Sequence, residues 1–345
     1  MAEYRAGIIG LGFIGAADQV SGDALGQRVE DLDGTHLVAL GRHAQVKVVA
    51  GSSRDLGRRE RFAQRSGAKT YEDWRAMLEH ERLDIVSVAT YTPTHEKITL
   101  ACAAAGVRAI YCEKPVAPTL EAGDRMLWAC ENAGVLLLFN HQRRFSPNYR
   151  RLRDLVAAGG LGQLTSIIAQ WGSGRLANVG THVFDAIGMV TGRRAGAVSG
   201  TLDLAGKPDC RGAAFRDPGG WGTVRLAGGL MVVVDAPDYS RAPFSIVFNG
   251  SEGRALAGGR EVRIEYWDGR REHWPSAVEE ISSMDRGVEE IVAWLEGGGA
   301  FSYPAAESLH AFEIAVGFHA SHGRNSAWVE LPLAGADREI VVYSG

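Results

Sequence analysis

The chain has 345 residues, 46% hydrophobic and 23% charged, an ordinary globular composition long enough for two cores. Its formal net charge is −4 and its Lys and Arg are scattered, which argues against nucleic acid or an anionic membrane surface as a partner. No apolar run reaches spanning length, "MAEYRAGIIGLGFIG" leaves no room for a signal peptide, and Cys102, Cys112, Cys130 and Cys210 lack CxxC or metal-type spacing. The expectation is a cytoplasmic protein with reduced thiols and no metal.

From the start to about Leu155, short β-branched runs alternate with helical stretches. The runs are "AGIIG", "VKVVAG", "DIVSVAT", "RAIYC" and "VLLLFN", several apolar on both faces as buried parallel strands are. This predicts an α/β fold whose first domain, residues 1–145, is a doubly wound Rossmann sheet. The connection after "GFIG" is long. Ser21 to Asp33 reads as an inserted loop near the cofactor crevice, followed by the helix remnant "THLVALGRH". A helix over "SPNYRRLRDLVAAG", with Ser146 as N-cap, stops at Gly159-Gly160. Beyond it come "LTSIIAQW", "WGTVRLAGGLMVVVDAP", "FSIVFNGSEG" and "EVRIEYWDGRREHW", strands of a large, mostly antiparallel open sheet with one helix embedded at 181–191. Helices over "SMDRGVEEIVAWLEGG" and "AAESLHAFEIAVGFHASH" and two short strands, "AWVELPL" and "REIVVYS", complete a second, α+β domain, residues 146–345.

Gly10-Leu11-Gly12-Phe13-Ile14-Gly15 is a GxGxxG placed after a strand and before a helix. Its first glycine permits the tight turn, the second lets a pyrophosphate approach the backbone, and the third lets helix and strand pack closely. An acid about 20 residues on would hold the ribose of NAD, but counting to Glu30-Asp31 is misled by the insertion. The ribose-facing positions are Ser52, Ser53 and Arg54, with no carboxylate before Asp55, and Arg54 suits a 2′-phosphate. The cofactor is expected to be NADP or NAD, with NADP preferred.

Lys114 lies in "CEKP", at the carboxyl end of a predicted parallel strand, where open α/β sheets bind ligands. An isolated EKP is also compatible with a surface lysine. "NVGTHVFDAIGMVTG" opens the embedded helix with Asn178, Thr181, His182 and Asp185 inside an apolar run. His182 there is a base, a structural histidine or, last, a metal ligand. Asp185 shares its helix face and either holds the imidazole or is a structural carboxylate. "NHQRRF" presents His141 and Arg143 to substrate or is a solvated turn.

GxGxxG, "TPTHEK", EKP and GxHxxD, in this order, resemble the Gfo/Idh/MocA family, and the resemblance covers nearly the whole chain. It implies NAD(P)-dependent oxidation or reduction of sugars, cyclitols and their derivatives. It also implies a homodimer or homotetramer through the second domain's sheet. Lys114 matches the lysine that hydrogen-bonds the reacting hydroxyl and His182 the acid/base histidine, while Thr90, Thr92, Pro93, His95 and Glu113 fall on the cofactor side. The family often has DxGxHxxD where this chain has Asn178, and an amide orients a hydroxyl but is no base near neutrality. Asn also stands there in the family's sugar-nucleotide 3-dehydrogenases. Loss of a hydroxyl proton favours a base with a pKa near 7, so His182 takes that role and Lys114 stabilises the oxyanion. The rival readings are a ketosugar or other carbonyl reductase, and a regulator that senses NAD(P) without turnover.

Overall fold

The computed structural model describes residues 3–204, 212, 215–238, 240–276, 281–299 and 301–344. The chain divides into two compact units, one made of residues 1–117, 122–142 and 280–306, the other of 118–121, 143–279 and 307–345.

The first unit opens with β1 (Tyr4–Ile9), α1 (Phe13–Ala16), α2 (Gln19–Asp23), α3 (His36–Arg42) and β2 (Val46–Ser52). It continues through α4 (Leu56–Ser66), β3 (Lys69–Tyr71), α5 (Trp74–His80), β4 (Ile85–Val88), α6 (His95–Ala104), β5 (Ala109–Cys112), α7 (Leu120–Ala133) and β6 (Leu136–Phe139). The six strands form one sheet, ordered β3-β2-β1-β4-β5-β6, and every neighbouring pair is parallel. Ile8, Ile9, Val86, Val88, Ile110 and Leu138 are buried, as a sheet covered on both faces requires. The Rossmann expectation therefore holds.

The helix after β1 is cut short. It stops at Ala16 because Ala17 adopts a left-handed φ of 53°. The chain then detours through α2 and a 3-10 turn, Val29–Asp31, before Thr35 caps α3 and the helical layer resumes. The detour was expected as a plain loop, but it is partly ordered. Asp18 is buried at its root and receives two hydrogen bonds from Arg61, at 2.7 and 2.9 Å. Gly22 lies so close to Phe13 that a side chain there would come within 2.7 Å of the ring. Residues 24–31 are largely exposed.

The second unit begins with α8 (Pro147–Ala157), β7 (Leu164–Gln170), α9 (Gly180–Thr191), β8 (Ala195–Leu202), β9 (Gly220–Leu226) and β10 (Met231–Ala236). Then come β11 (Ser245–Gly250), β12 (Gly253–Gly258), β13 (Glu261–Tyr266) and β14 (Arg271–Trp274). With α10 (Ser283–Leu295) the chain returns to the first unit, and α11 (Ala305–His322) and β15 (Val329–Glu330) follow. The return has a physical cause. The buried face of α10 carries Met284, Val288, Ile291, Val292 and Leu295, Arg42 pairs with its Asp285 at 3.1 Å, and Asp33 accepts from Ser283 N–H at 3.2 Å. A division at residue 145 does not capture this segment.

Nine strands form the second sheet, ordered β14-β13-β12-β11-β7-β10-β9-β8-β15, with only β7 and β10 pairing parallel among the described neighbours. Side chains alternate across it. Ile167, Val224, Val232 and Val234 are buried while Ile168, Trp221 and Val233 are exposed on the other face. On the covered side Phe184 of α9 stacks on Phe318 of α11, ring centroids 6.0 Å apart. The second terminal strand expected from "REIVVYS" does not form. Gly335–Glu339 is a 3-10 turn, and a single bridge joins Tyr343 to Arg216. Among the described residues no helix is long and apolar enough to cross a membrane. Cys102, Cys112 and Cys130 are buried free thiols, and Cys210 lies outside the described residues.

Candidate active site

The nucleotide turn is built at the carboxyl end of β1. Gly10 has a φ of 101°, and a side chain on it would strike the carbonyl of Ala89; one on Gly15 would strike the carbonyl of Gly10. Gly12 is different. A Cβ there would meet only the Arg58 guanidinium, 3.7 Å away, so the turn keeps an open side. Phe13 is buried and Ile14 half-buried beside it.

At the end of β2, Ser52 is buried and its carbonyl accepts from Gly10 N–H at 2.9 Å, which joins the two strand ends. Ser53 is half-buried and Arg54 exposed. Asp55 is engaged locally, because its carboxylate caps α4 by accepting from Arg58 N–H at 2.7 Å. Arg58, on the first turn of α4, was not anticipated from the sequence. Only a helical count from the cap could have aimed it back at the glycine turn.

After β4, Thr92–Thr94 form a 3-10 turn with Pro93 at its start, and Thr94 donates to Thr90 Oγ1 at 2.8 Å. His95 goes inward. Its ring is fully buried, with Nδ1 2.9 Å from the Pro115 carbonyl and Nε2 3.0 Å from that of Thr90, so it ties this turn to the EKP segment. Burial pushes its pKa down.

Lys114 is half-buried at the end of β5, and its bond to Pro115 is cis. Directly before it, Glu113 is buried in a polar network. Its Oε1 lies 3.0 Å from His36 Nε2 and accepts from Asn140 Nδ2 at 2.6 Å. His36 Nδ1 in turn meets Ser87 Oγ at 2.9 Å, and Tyr111 donates to Asn140 Oδ1 at 2.8 Å. Burial pushes the Glu113 carboxyl up, but His36, Lys114 and Asn140 outweigh it and hold it below the usual range. Glu113 is therefore held as a carboxylate, adjacent to Lys114 in the chain and within its electrostatic reach. His141, one residue after Asn140, is itself buried.

In the second unit His182 lies on the first turn of α9, half-buried, its N–H bonded to the Val179 carbonyl at 3.1 Å. Asn178 precedes the helix. Its backbone N–H donates to Asp217 Oδ2 at 2.8 Å, and that of Ala177 to Oδ1 at 2.8 Å. Asp185 has its ion pair with Arg144, whose Nε lies 2.8 and 2.9 Å from the two carboxylate oxygens. That supports a structural carboxylate. Burial pushes Asp185 up to about 6 even with Arg144 beside it. The Arg143 guanidinium stacks 4.5 Å from the Phe244 ring centroid. Sequence reasoning missed His36, Asn140, Asp217 and Arg144, because each is far along the chain from the group that it holds. Among the described residues no three His, Cys, Asp or Glu are grouped to hold a metal.

A parallel sheet with a glycine turn at β1 and an EKP lysine at β5 defines a nucleotide-binding Rossmann protein. Residues 4–141 match the GFO_IDH_MocA family, described as an oxidoreductase family with an NAD-binding Rossmann fold. The rhizopine catabolism protein MocA of Rhizobium meliloti is 29% identical over 337 residues, 91% of this chain and 94% of that protein. The similarity to the Gfo/Idh/MocA family thus covers the nucleotide-binding segment through the family model and extends over most of the chain through MocA. Myo-inositol 2-dehydrogenase of Thermotoga maritima is 30% identical over 159 residues, 46% of this chain and 42% of that protein. Mouse trans-1,2-dihydrobenzene-1,2-diol dehydrogenase is 32% identical over 127 residues, 36% of this chain and 38% of that protein. The match thus spans less than half the length of these two dehydrogenases. Among solved structures, levoglucosan dehydrogenase in complex with NADH and levoglucosan superposes with a TM-score of 0.77 at 20% identity, covering 96% of this chain and all (100%) of that one. An oxidoreductase domain protein from Kribbella flavida gives 0.78 at 21% identity, with 96% and 100% covered. These two share the fold.

Proposed function

We propose that the protein is an NAD(P)-dependent dehydrogenase that oxidises a ring hydroxyl of a sugar, sugar derivative or cyclitol, or reduces the corresponding ketone. The observation that carries this reading is Lys114, a half-buried cation next to the buried Glu113 carboxylate, at the end of a strand of the sheet that carries the glycine turn. Relatives named for myo-inositol and rhizopine, and the fold neighbour bound to levoglucosan, support the substrate class.

The glycine turn fits a dinucleotide, since Gly12 leaves its backbone approachable and the Arg58 guanidinium lies beside it. When bound, NAD(P) accepts or returns the hydride. The residues of this chain manage the proton and the charge. His182 takes the hydroxyl proton, because an imidazole titrates closest to neutrality. Lys114 donates to the same oxygen and stabilises the charge that develops on it. Asn178 orients the ring through its amide, and His141 and Arg143 contribute to substrate binding. Gly10, Gly12, Phe13, Ile14, Gly15, Ser52, Ser53, Arg54, Thr90, Thr92 and Pro93 form the cofactor side. His95 and Glu113 support it from the interior.

We infer a preference for NADP. Asp55, the nearest carboxylate, is occupied as a helix cap, so Ser53, Arg54 and Arg58 present hydroxyl and guanidinium groups instead. The exposed Ile168, Trp221 and Val233 on the open face of the second sheet support a homo-oligomer formed through that face.

Fluorescence titration with NADH and NADPH measures cofactor binding, and nicotinamide absorbance with sugars, glycosides and inositols measures turnover in both directions. Nucleotide binding without turnover of any polyol or ketone overturns the dehydrogenase reading in favour of a nucleotide sensor.

A further inference from the structure

Asp217 is buried in the second unit, and the chemistry above makes no use of it. Both of its oxygens are engaged. Oδ1 accepts from Ala177 N–H at 2.8 Å, and Oδ2 accepts from Asn178 N–H at 2.8 Å and from the Ser344 hydroxyl at 2.7 Å. The next residue along, Pro218, takes the Leu176 N–H on its carbonyl at 3.0 Å. The segment so held runs from β7 to α9 and is irregular. Gly174 and Arg175 have left-handed φ values of 54° and 59°, and no side chain caps the start of α9. Such a backbone keeps one geometry only if its surroundings impose it.

We propose that Asp217 is a positioning residue for the substrate side of the site. Its carboxylate fixes the backbone at Ala177 and Asn178, and with it the amide of Asn178 and the imidazole of His182 on the turn that follows. The Ser344 hydroxyl completes the clamp, and Ser344 is itself fully buried. The segment around it is anchored by Val342 N–H on the Pro118 carbonyl at 2.9 Å and by Arg216 N–H on the Tyr343 carbonyl at 2.8 Å. A buried carboxylate receiving two backbone N–H groups ahead of a helix N-terminus is favoured by the helix's own dipole. The catalytic consequence rests on the dehydrogenase reading, whereas the clamp itself does not.

The test pairs hydrogen exchange with kinetics on the full chain. Asp217→Asn keeps the shape, but whichever way its amide turns, an NH2 group faces a backbone N–H. Amides in peptides covering 172–182 are expected to exchange about tenfold or more faster, the scale of one lost charge-assisted hydrogen bond. Peptides covering 4–16 stay unchanged. With a polyol substrate, kcat/KM falls by about tenfold or more while the NAD(P)H dissociation constant stays within about twofold. Ser344→Ala leaves both backbone bonds in place and produces smaller changes in the same direction, about threefold. Wild-type exchange over 172–182 in Asp217→Asn overturns the proposal, as does wild-type kcat/KM alongside faster exchange. If Asp217→Asn does not fold, Ser344→Ala decides by the same two measurements, and wild-type values in both overturn the proposal. If the wild-type chain turns over no polyol, the functional reading has failed, and the exchange measurement still decides the clamp.

Discussion

Glu113 and His36 stand 77 positions apart in sequence, yet their side chains meet at 3.0 Å in the interior of the first unit. The contact depends on the interrupted helix, because His36 sits on the piece that resumes after the detour. It keeps a carboxylate charged beside Lys114. His36→Ala removes a donor from that carboxylate and should cost about 1–3 kcal/mol in chemical denaturation. Glu113 is held below the ordinary range, so its contribution is present above the unfolded carboxylate pKa and lost as pH falls through the folded one. The His36→Ala deficit should therefore shrink in acid, and a deficit that grows there would contradict the assignment. Glu113→Gln keeps the shape without the charge and should lower turnover by about 10- to 100-fold with nucleotide affinity retained.

His182→Ala should reduce turnover by about 10²–10⁴-fold and leave NAD(P)H titrations nearly unchanged, since the residue belongs to the second unit and the glycine turn to the first. Lys114→Met should also damage turnover, through loss of the charged donor. Activity abolished by EDTA and restored by zinc would replace this scheme with a metal-dependent one.

The Arg61 hydrogen bonds hold the Asp18 carboxyl near a pKa of about 2, against burial that acts the other way. Its contribution is therefore full above about pH 4 and lost as pH falls towards 2. Asp18→Asn should cost up to about 2 kcal/mol at pH 7, trimmed by the partial exposure of Arg61, and about half as much near pH 3. Shortening the exposed 24–31 stretch should leave stability intact and mainly weaken ligand binding. Unfolding of the shortened chain would give that stretch a structural role.

The parallel strands were legible because each is a short, continuous apolar run, and the glycine turn because its spacing falls between a strand and a helix. Lys114 and His182 were legible as motif residues. The groups that hold them were not. His36 lies beyond an insertion of irregular composition, and Asp217 sits among turn residues with no periodicity to mark it. Asp185 could be placed on the face of His182 by counting, but its partner Arg144 comes from a segment 41 residues away. The strand expected at "REIVVYS" failed for a related reason. Its backbone groups are used in single contacts, Val342 to Pro118 and Tyr343 to Arg216, rather than in a ladder.

Asp185 is pushed up to about 6, so its contribution to stability falls as pH rises from about 4 through 6. Arg144 limits that loss. Arg144→Met leaves the carboxylate buried without its cation and should destabilise the protein by about 3–5 kcal/mol at pH 7. Because the unpaired carboxyl titrates at a still higher pH, the difference between wild type and variant should narrow as pH drops below about 6. Urea midpoints at pH 5 and pH 7.5 measure this, and equal differences at both would show that the guanidinium acts through packing instead.

Two guanidiniums are candidates to hold a 2′-phosphate in the proposed NADP site. Arg54 is exposed at the end of β2 and extends the ribose-facing serines, whereas Arg58 is half-buried and lies 3.7 Å from the open side of Gly12. The second position is also close to where a pyrophosphate rests on the glycine turn. The two variants should therefore separate. Arg54→Ala should weaken NADPH by about 1.5–3 kcal/mol and barely affect NADH, because only the 2′-phosphate reaches it. Arg58→Ala should weaken both nucleotides, since both carry the pyrophosphate, with any additional loss for NADPH measuring its share of the 2′-phosphate. Equal losses for both nucleotides in Arg54→Ala, or tighter wild-type binding of NADH, would instead assign an unmodified ribose to Ser52 and Ser53.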